Sequence, residues 1–321
     1  MLVREDIVSI EEIDNIDGEY VYDIEVDDTH TFFGNDILLH NSIYVEFGRV
    51  VNQLNIPQEE HAKFVVNLWK YGCGPYMDKC YEEYAKYYNC DKNVQVLELE
   101  KIADTAVMVA KKHYAMSECF KEPGIYLNPG EEILYKGLEI VQGSTPPFAR
   151  QCQKEFTEFI LSWYATHNER PDFGTLFSLV KKFKSDFILQ DPDNICKGAS
   201  IGDYDKFIAD DKNNFTFREH CPIHVKAAGL ANYILNQPHN KQYRVKYNKL
   251  KTRDKVKFYY TTDPNYPVFA FLPNKYPLEY APGIDYNIQF EKLVLEPINR
   301  IMAILKHSLL TPDLCYTTAL F

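Results

Sequence analysis

Ile37-Leu38-Leu39-His40-Asn41-Ser42-Ile43-Tyr44-Val45-Glu46-Phe47 divides the chain into two parts with different chemistry. Its centre is His40-Asn41-Ser42. An Asn side-chain amide can attack its own main-chain carbonyl, close a succinimide and cut the bond to the next residue. That reaction needs a proton donor for the departing amide and a group that polarises the carbonyl, and His suits both roles near neutral pH. His40 is adjacent, and His30 stands ten residues upstream across a turn. Ser42 supplies a hydroxyl nucleophile able to receive an acyl group as an ester, which rearranges to an amide once the amine is free.

Upstream, residues 20–27 alternate as a strand, with Tyr22, Ile24 and Val26 on one face and Val21, Asp23 and Glu25 on the other. A turn rich in Asp and Thr follows, then Thr29-His30-Thr31-Phe32-Phe33, a second turn at Gly34-Asn35-Asp36, and the short apolar strand Ile37-Leu38-Leu39. So few short strands cannot form a stable core alone, and the segment needs a partner. Its charge points the same way. Residues 1–41 carry twelve Asp/Glu and one Arg, a net of −11, whereas residues 42–321 hold 34 acidic and 34 basic residues and are neutral. Such asymmetry marks two parts with different partners, and the acidic part calls for a basic one.

The order Tyr22-Asp23-x-Glu25-Val26, Thr29-His30-x-Phe32 and Ile37-Leu38-Leu39-His40-Asn41-Ser42 closely resembles the C-terminal splicing blocks of inteins. An intact intein also has a Cys or Ser at its start and a Thr-x-x-His block, and neither lies upstream here. The resemblance therefore implies the C-terminal fragment of a split intein over residues 1–41. The N-terminal fragment would arrive on another polypeptide and splicing would occur in trans, with His30, His40, Asn41 and Ser42 as the catalytic residues and no cofactor.

Downstream, residues 42–47 read as a strand. Residues 57–72 have helical spacing with Pro57 at the start, and a second helix is expected through Tyr76, Met77 and Tyr81 to Tyr88. Residues 94–102 alternate as a strand, and residues 105–110 form its expected neighbour, running into Lys111-Lys112-His113-Tyr114. Ser144-Thr145-Pro146 reads as a helix start, with a hydroxyl cap and Pro146 in the first position. Cys152, Phe156, Phe159, Ile160 and Trp163 form a core-facing stripe on that helix. A third helix is expected around residues 173–189, carrying Lys181-Lys182-x-Lys184, and Asp285-Tyr286 opens a last one. Residues 241–257 contain eight Lys/Arg and one Asp, interleaved with Tyr243 and Tyr247, a pattern suited to phosphate contact.

In order, these features resemble the end of a family B DNA polymerase of the phage type. In that family an Asp-Thr-Asp-Ser motif precedes an apolar strand, as Ser42-Ile43-Tyr44-Val45 would once joined to a partner. Lys111-Lys112-His113-Tyr114 is similar to the family's Lys-Lys-Arg-Tyr, which contacts the primer–template duplex; His113 replaces the Arg. Tyr135-Lys136-Gly137-Leu138-Glu139 and Ser144-Thr145-Pro146 resemble the passage from palm to thumb, and Cys221-Pro222-Ile223-His224 a thumb stretch.

The resemblance implies an α+β chain: a small β-rich intein fragment at 1–41, the C-terminal part of a palm at 42–140, and a mainly helical thumb with a C-terminal tail at 141–321. It implies template-directed DNA synthesis from dNTPs after splicing, with two Mg²⁺ ions held chiefly by aspartates of the partner polypeptide. Glu100, or Glu98 beside it, is the carboxylate of this chain nearest to such a role. DNA contacts are expected from Lys111, Lys112, His113, Tyr114, Lys246, Lys249 and Lys251. Leu320 and Phe321, on a polar tail, resemble a sliding-clamp peptide. The expected partners are the N-terminal polymerase half with its intein fragment, primer–template DNA, dNTPs and a sliding clamp. The rival expectation is a non-catalytic DNA-binding thumb that assembles without ligation.

The remaining bulk features are consistent with a cytoplasmic protein. Eight cysteines are scattered with no C-x-x-C pair, and no long apolar run or signal-peptide pattern occurs.

Overall fold

A computed structural model describes residues 31–34, 37–40, 45–93, 95–167, 169–211, 214–313 and 316–317. The chain divides into two compact units, Met1–Leu99 and Glu100–Phe321.

In the first unit, β1 (Thr31–Gly34) and β2 (Ile37–His40) pair antiparallel, with Thr31 opposite His40 and Gly34 opposite Ile37. Helix α1 (Gly48–Gln53) follows. The described residues of the expected 42–47 strand, 45–47, have no strand pairing; they lead straight into α1. Helices α2 (His61–Leu68) and α3 (Gly74–Tyr87) are joined by a π-helical turn, Trp69–Cys73, rather than separated by a loop. The reason lies in Pro75, which has no N–H to give the carbonyl four residues earlier. The register widens by one residue ahead of it, and Gly74 N–H reaches Trp69 O.

The second unit opens with a long hairpin, β3 (Lys101–Ala110) and β4 (His113–Lys121), extended by β5 (Ile125–Tyr126) and β6 (Glu132–Lys136), which both pair with β4. Two strand expectations are corrected here. Residues 95–100 have no strand pairing, and Lys101-Ile102 belongs to the same strand as residues 105–110. The neighbour of that strand is β4. Alternation at residues 94–100 signalled a strand, but Val96 is 74% exposed and buries nothing that would reward pairing.

Helix α4 (Pro147–His167) begins one residue later than expected: the Arg150 N–H bonds Pro146 O, so Pro147 takes the first helical position. Cys152, Phe156 and Ile160 are buried along it, whereas Phe159 and Trp163 are only partly so. Helix α5 (Phe173–Ile188) is capped by Asp172, which accepts from Thr175 N–H at 2.9 Å, and buries Leu176, Val180, Phe183 and Phe187. Short elements follow: α6 (Pro192–Ile195), β7 (Lys197–Ser200), α7 (Tyr204–Phe207), β8 (Ile208–Asp211) and β9 (Asn214–Phe217). Helix α8 (Ile223–Leu235) packs on β10 (Lys255–Tyr260) and β11 (Val268–Phe271), which join β7 in a sheet of order β11-β10-β7.

Asp285 caps the last helix, accepting from Asn287 and Ile288 N–H at 3.0 Å each. That helix runs through α9 (Tyr286–Phe290), a π turn (Glu291–Leu295) and α10 (Glu296–Ile304). Again a proline explains the wide turn. Pro297 cannot donate to Leu293 O, and the buried Gln153 of α4 donates there instead at 2.6 Å. The core of the unit gathers α4, α5, α8, the last helix and the two sheets around fully buried Phe156, Phe187, Tyr259, Phe269 and Phe290. None of the described helices is long and apolar enough to cross a membrane.

Candidate nucleic-acid interface

The lysine pair lies at the tip of the β3–β4 hairpin. Ala110 pairs with His113, so Lys111 and Lys112 are the two residues of the turn, and a register shift just before it bulges β3. Lys112 has φ +60°, a left-handed conformation uncommon outside Gly, Asn and Asp. Both lysines are exposed. The His113 ring donates from Nδ1 to Lys111 O at 2.8 Å, which folds the ring back onto the turn. Tyr114, in contrast, is only 7% exposed.

What holds the tip is Gly137, directly after β6. It has φ +65°, and a Cβ there would stand 2.1 Å from Lys112 O and 3.0 Å from the His113 ring. Only glycine permits this approach. Tyr114 pairs with Lys136, so exposed Lys136 belongs to the same end of the sheet. Linear spacing hid this third cation; strand register alone brings it in. Two residues beyond Gly137, Glu139 forms an ion pair with Arg300 of α10, which ties the strand exit to the last helix.

The opposite end of the sheet is mixed in charge. Glu118, 3% exposed, pairs with Lys101 at 2.5 Å, and Lys121 pairs with Glu132 at 2.6 Å. Glu100 lies here, exposed, its carbonyl accepting from Glu122 N–H at 3.0 Å. At about 3.3 Å per residue, β3 separates it from the lysine tip by roughly 30 Å. Glu98 is exposed too. Among the described residues, no three His, Cys, Asp or Glu converge as a metal-binding group, the pair Cys221 and His224 included. Glu100 alone does not make a Mg²⁺ site; the remaining ligands would have to come from elsewhere.

The basic stretch 241–257 resolves into two classes. Arg244 donates to the carbonyls of Leu235, Asn236 and Gln237 at the end of α8. Lys257 pairs with Asp193 at 3.2 Å with both side chains largely buried. Lys246 pairs with Glu279, which also accepts from Tyr247 OH at 2.7 Å. These hydrogen bonds, from Lys246 first, hold the Glu279 carboxyl down at about 2 and push the Lys246 ammonium up. Tyr243 stacks on Tyr280 at 5.9 Å. These three cations are engaged in holding the fold. Lys241, Lys249, Lys251, Arg253 and Lys255 are exposed, and none has a carboxylate partner within ion-pair distance among the described residues. They are the cations free to meet phosphate. Of the three lysines expected to touch DNA from this stretch, Lys249 and Lys251 are in that class and Lys246 is not.

His30, Asn41 and Ser42 lie outside the described residues, as do Leu320 and Phe321. For His40 the backbone is described, as the last residue of β2.

Two exposed, lysine-bearing surfaces thus lie on one mixed helix-and-sheet unit, and each offers cations of the kind that contact phosphate. The chain is similar to the DNA polymerase of Thermococcus litoralis, 30% identical over 160 residues, which is 49% of this chain and 8% of that protein. It is also similar to the DNA polymerase of Thermococcus aggregans, 33% identical over 145 residues, 44% of this chain and 6% of that protein. The chain thus has a relationship to DNA polymerases over about half its length, and the match spans less than a tenth of the length of these curated relatives. No family model matches the chain.

Proposed function

We propose that this chain is the C-terminal half of a split family B DNA polymerase of the phage type, joined to its N-terminal half by intein trans-splicing. Residues 1–41 act as the C-terminal intein fragment, 42–140 as the end of the palm, and 141–321 as the thumb and tail, in the host cytoplasm. The observation that carries the polymerase reading is the glycine-pinned lysine tip, Lys111-Lys112 held by Gly137, in a chain similar to DNA polymerases.

In the splicing step, the two intein fragments associate. Ser42 Oγ attacks the activated acyl junction on the partner and accepts the acyl group as an ester. Asn41 then cyclises, with His40 and His30 supplying the proton and polarising the carbonyl, and the bond to Ser42 breaks. The freed Ser42 amine takes the acyl group from its own oxygen, which leaves an ordinary peptide bond. In the polymerase, Lys111, Lys112 and Lys136 at one end of the sheet, and Lys249 and Lys251 on the second surface, hold primer–template phosphates. Two Mg²⁺ ions bound mainly by partner aspartates would supply the charge stabilisation for dNTP addition, with Glu100 near them. Leu320 and Phe321 engage a sliding clamp. Because the junction adjoins the metal-binding aspartates, neither half polymerises alone.

Primer extension tests this. The chain mixed with its partner should extend a primer, and the chain alone should not. An Asn41→Ala variant that still supports full extension when mixed would replace ligation with assembly of unspliced halves.

A further inference from the structure

One ring at the lysine tip differs from the cations around it because of the bond it has already made. His113, the first residue of β4, donates from Nδ1 to Lys111 O at 2.8 Å. A carbonyl oxygen only accepts, so this bond assigns the proton to Nδ1 and makes Nε2 of the neutral ring a bare acceptor. The other side of the ring is held as well: its Cδ2 lies against Gly137, where a Cβ would stand 3.0 Å away. Nδ1 and Cδ2 flank Cγ, so the edge that remains is Cε1–Nε2. His113 is exposed, and its Nε2 has no hydrogen-bond partner among the described residues. The tip therefore offers one fixed acceptor beside the donors Lys111, Lys112 and Lys136.

We propose that His113 determines specificity at the tip by accepting, at Nε2, a hydrogen bond from a donor on the bound nucleic acid, a ribose 2′-hydroxyl or a guanine 2-amino group; the inference rests on the polymerase reading above. Polarity narrows the choice. Phosphate oxygens only accept, so they suit the lysines and cannot bond a neutral Nε2. Deoxyribose within a strand offers no donor. The 2′-hydroxyl is the group by which a protein tells RNA from DNA, and the guanine amino group is the one base donor beside it in the minor groove. The ring folds back on its own turn and reaches less far than either lysine. With the ammoniums on phosphates, it stands at the level of the sugars, which puts the 2′-hydroxyl of an RNA primer first. Phosphate contacts carry no information about sugar or base, so the ring supplies what the lysines cannot. An Arg here, as in the motif that this stretch resembles, could only donate. Both sides of the ring are held before binding, so little side-chain freedom is lost on contact.

The test measures binding of the full chain to three primer–templates of one sequence at about pH 8, where imidazole is ordinarily neutral. The first is all DNA. The second has a ribonucleotide primer, and the third is all DNA with inosine, which lacks the 2-amino group, in place of guanine. One added hydrogen bond should contribute about three- to tenfold in affinity. That margin for the ribonucleotide primer over the all-DNA form assigns the contact to the 2′-hydroxyl; the same margin for guanine over inosine assigns it to the base amino group. His113→Asn can still donate to Lys111 O through its amide but has no atom at the Nε2 position, and should erase the margin. His113→Arg should erase it too, while raising the dependence of log K on log salt by about one unit. Thermal unfolding checks that each variant keeps the fold. Equal affinity for all three duplexes, or a margin that both variants leave intact, overturns the proposal and leaves the polymerase reading standing. Failure to bind any of the three overturns both.

Discussion

Gly137 and Lys112 are in direct backbone contact: a Cβ on Gly137 would stand 2.1 Å from the Lys112 carbonyl oxygen. Two left-handed residues, Lys112 in the β3–β4 turn at φ +60° and Gly137 just after β6 at φ +65°, thereby lock the hairpin tip in one shape. Gly137→Ala meets both the backbone clash and the φ penalty, and should lower unfolding free energy by more than about 2 kcal/mol, read from urea unfolding. Affinity for duplex DNA should fall with it.

Charge and conformation at Lys112 separate by substitution. Lys112→Asn suits the left-handed turn and removes the ammonium, so stability should hold or rise by up to about 1 kcal/mol while DNA binding weakens. Each of Lys111→Ala and Lys112→Asn should reduce the dependence of log K on log salt by about one unit, equally for unrelated sequences. A loss confined to one DNA sequence would mean that the tip reads bases.

The second basic surface should divide in the same assay. Lys249→Ala and Lys251→Ala should each lower the salt slope by about one unit. Lys246→Ala should leave it almost unchanged, because that ammonium is already held by Glu279.

The Lys246–Glu279–Tyr247 cluster has its own pH signature. The Glu279 carboxyl titrates at about 2 in the folded chain against an ordinary 4.5, so the folded state favours the ionised form. The stabilisation is complete above about pH 4.5 and is lost as pH falls towards 2. NMR titration of the Glu279 carboxyl checks this, and an ordinary midpoint near 4.5 would mean that the cluster is open in solution.

Gln153 serves a carbonyl that a proline left without a donor. Gln153→Leu should cost about 1–3 kcal/mol by stranding the buried Leu293 carbonyl, read from thermal unfolding.

The sequence revealed those features whose causes are local. Helix α5 falls at 173–188, where a helix was expected around residues 173–189, and Asp285 announces the last helix through its own side-chain bonds. Features set by distant partners were not visible. Lys246 reads as a free cation until Glu279, far along the chain, takes it. Lys136 joins the lysine tip only through its pairing with Tyr114, and Tyr114 reads as an accessible aromatic until the sheet buries it. The strand beginning at Lys101 was misread because alternation at residues 94–100 has no packing behind it.

Tryptic peptides spanning Ser42, taken from cells that make this chain with its natural partner, test the central claim most directly by mass spectrometry. The expected result is a peptide running from an Asp-Thr-Asp sequence of the partner straight into Ser42-Ile43-Tyr44. Finding only the intact Leu39-His40-Asn41-Ser42 junction would contradict it.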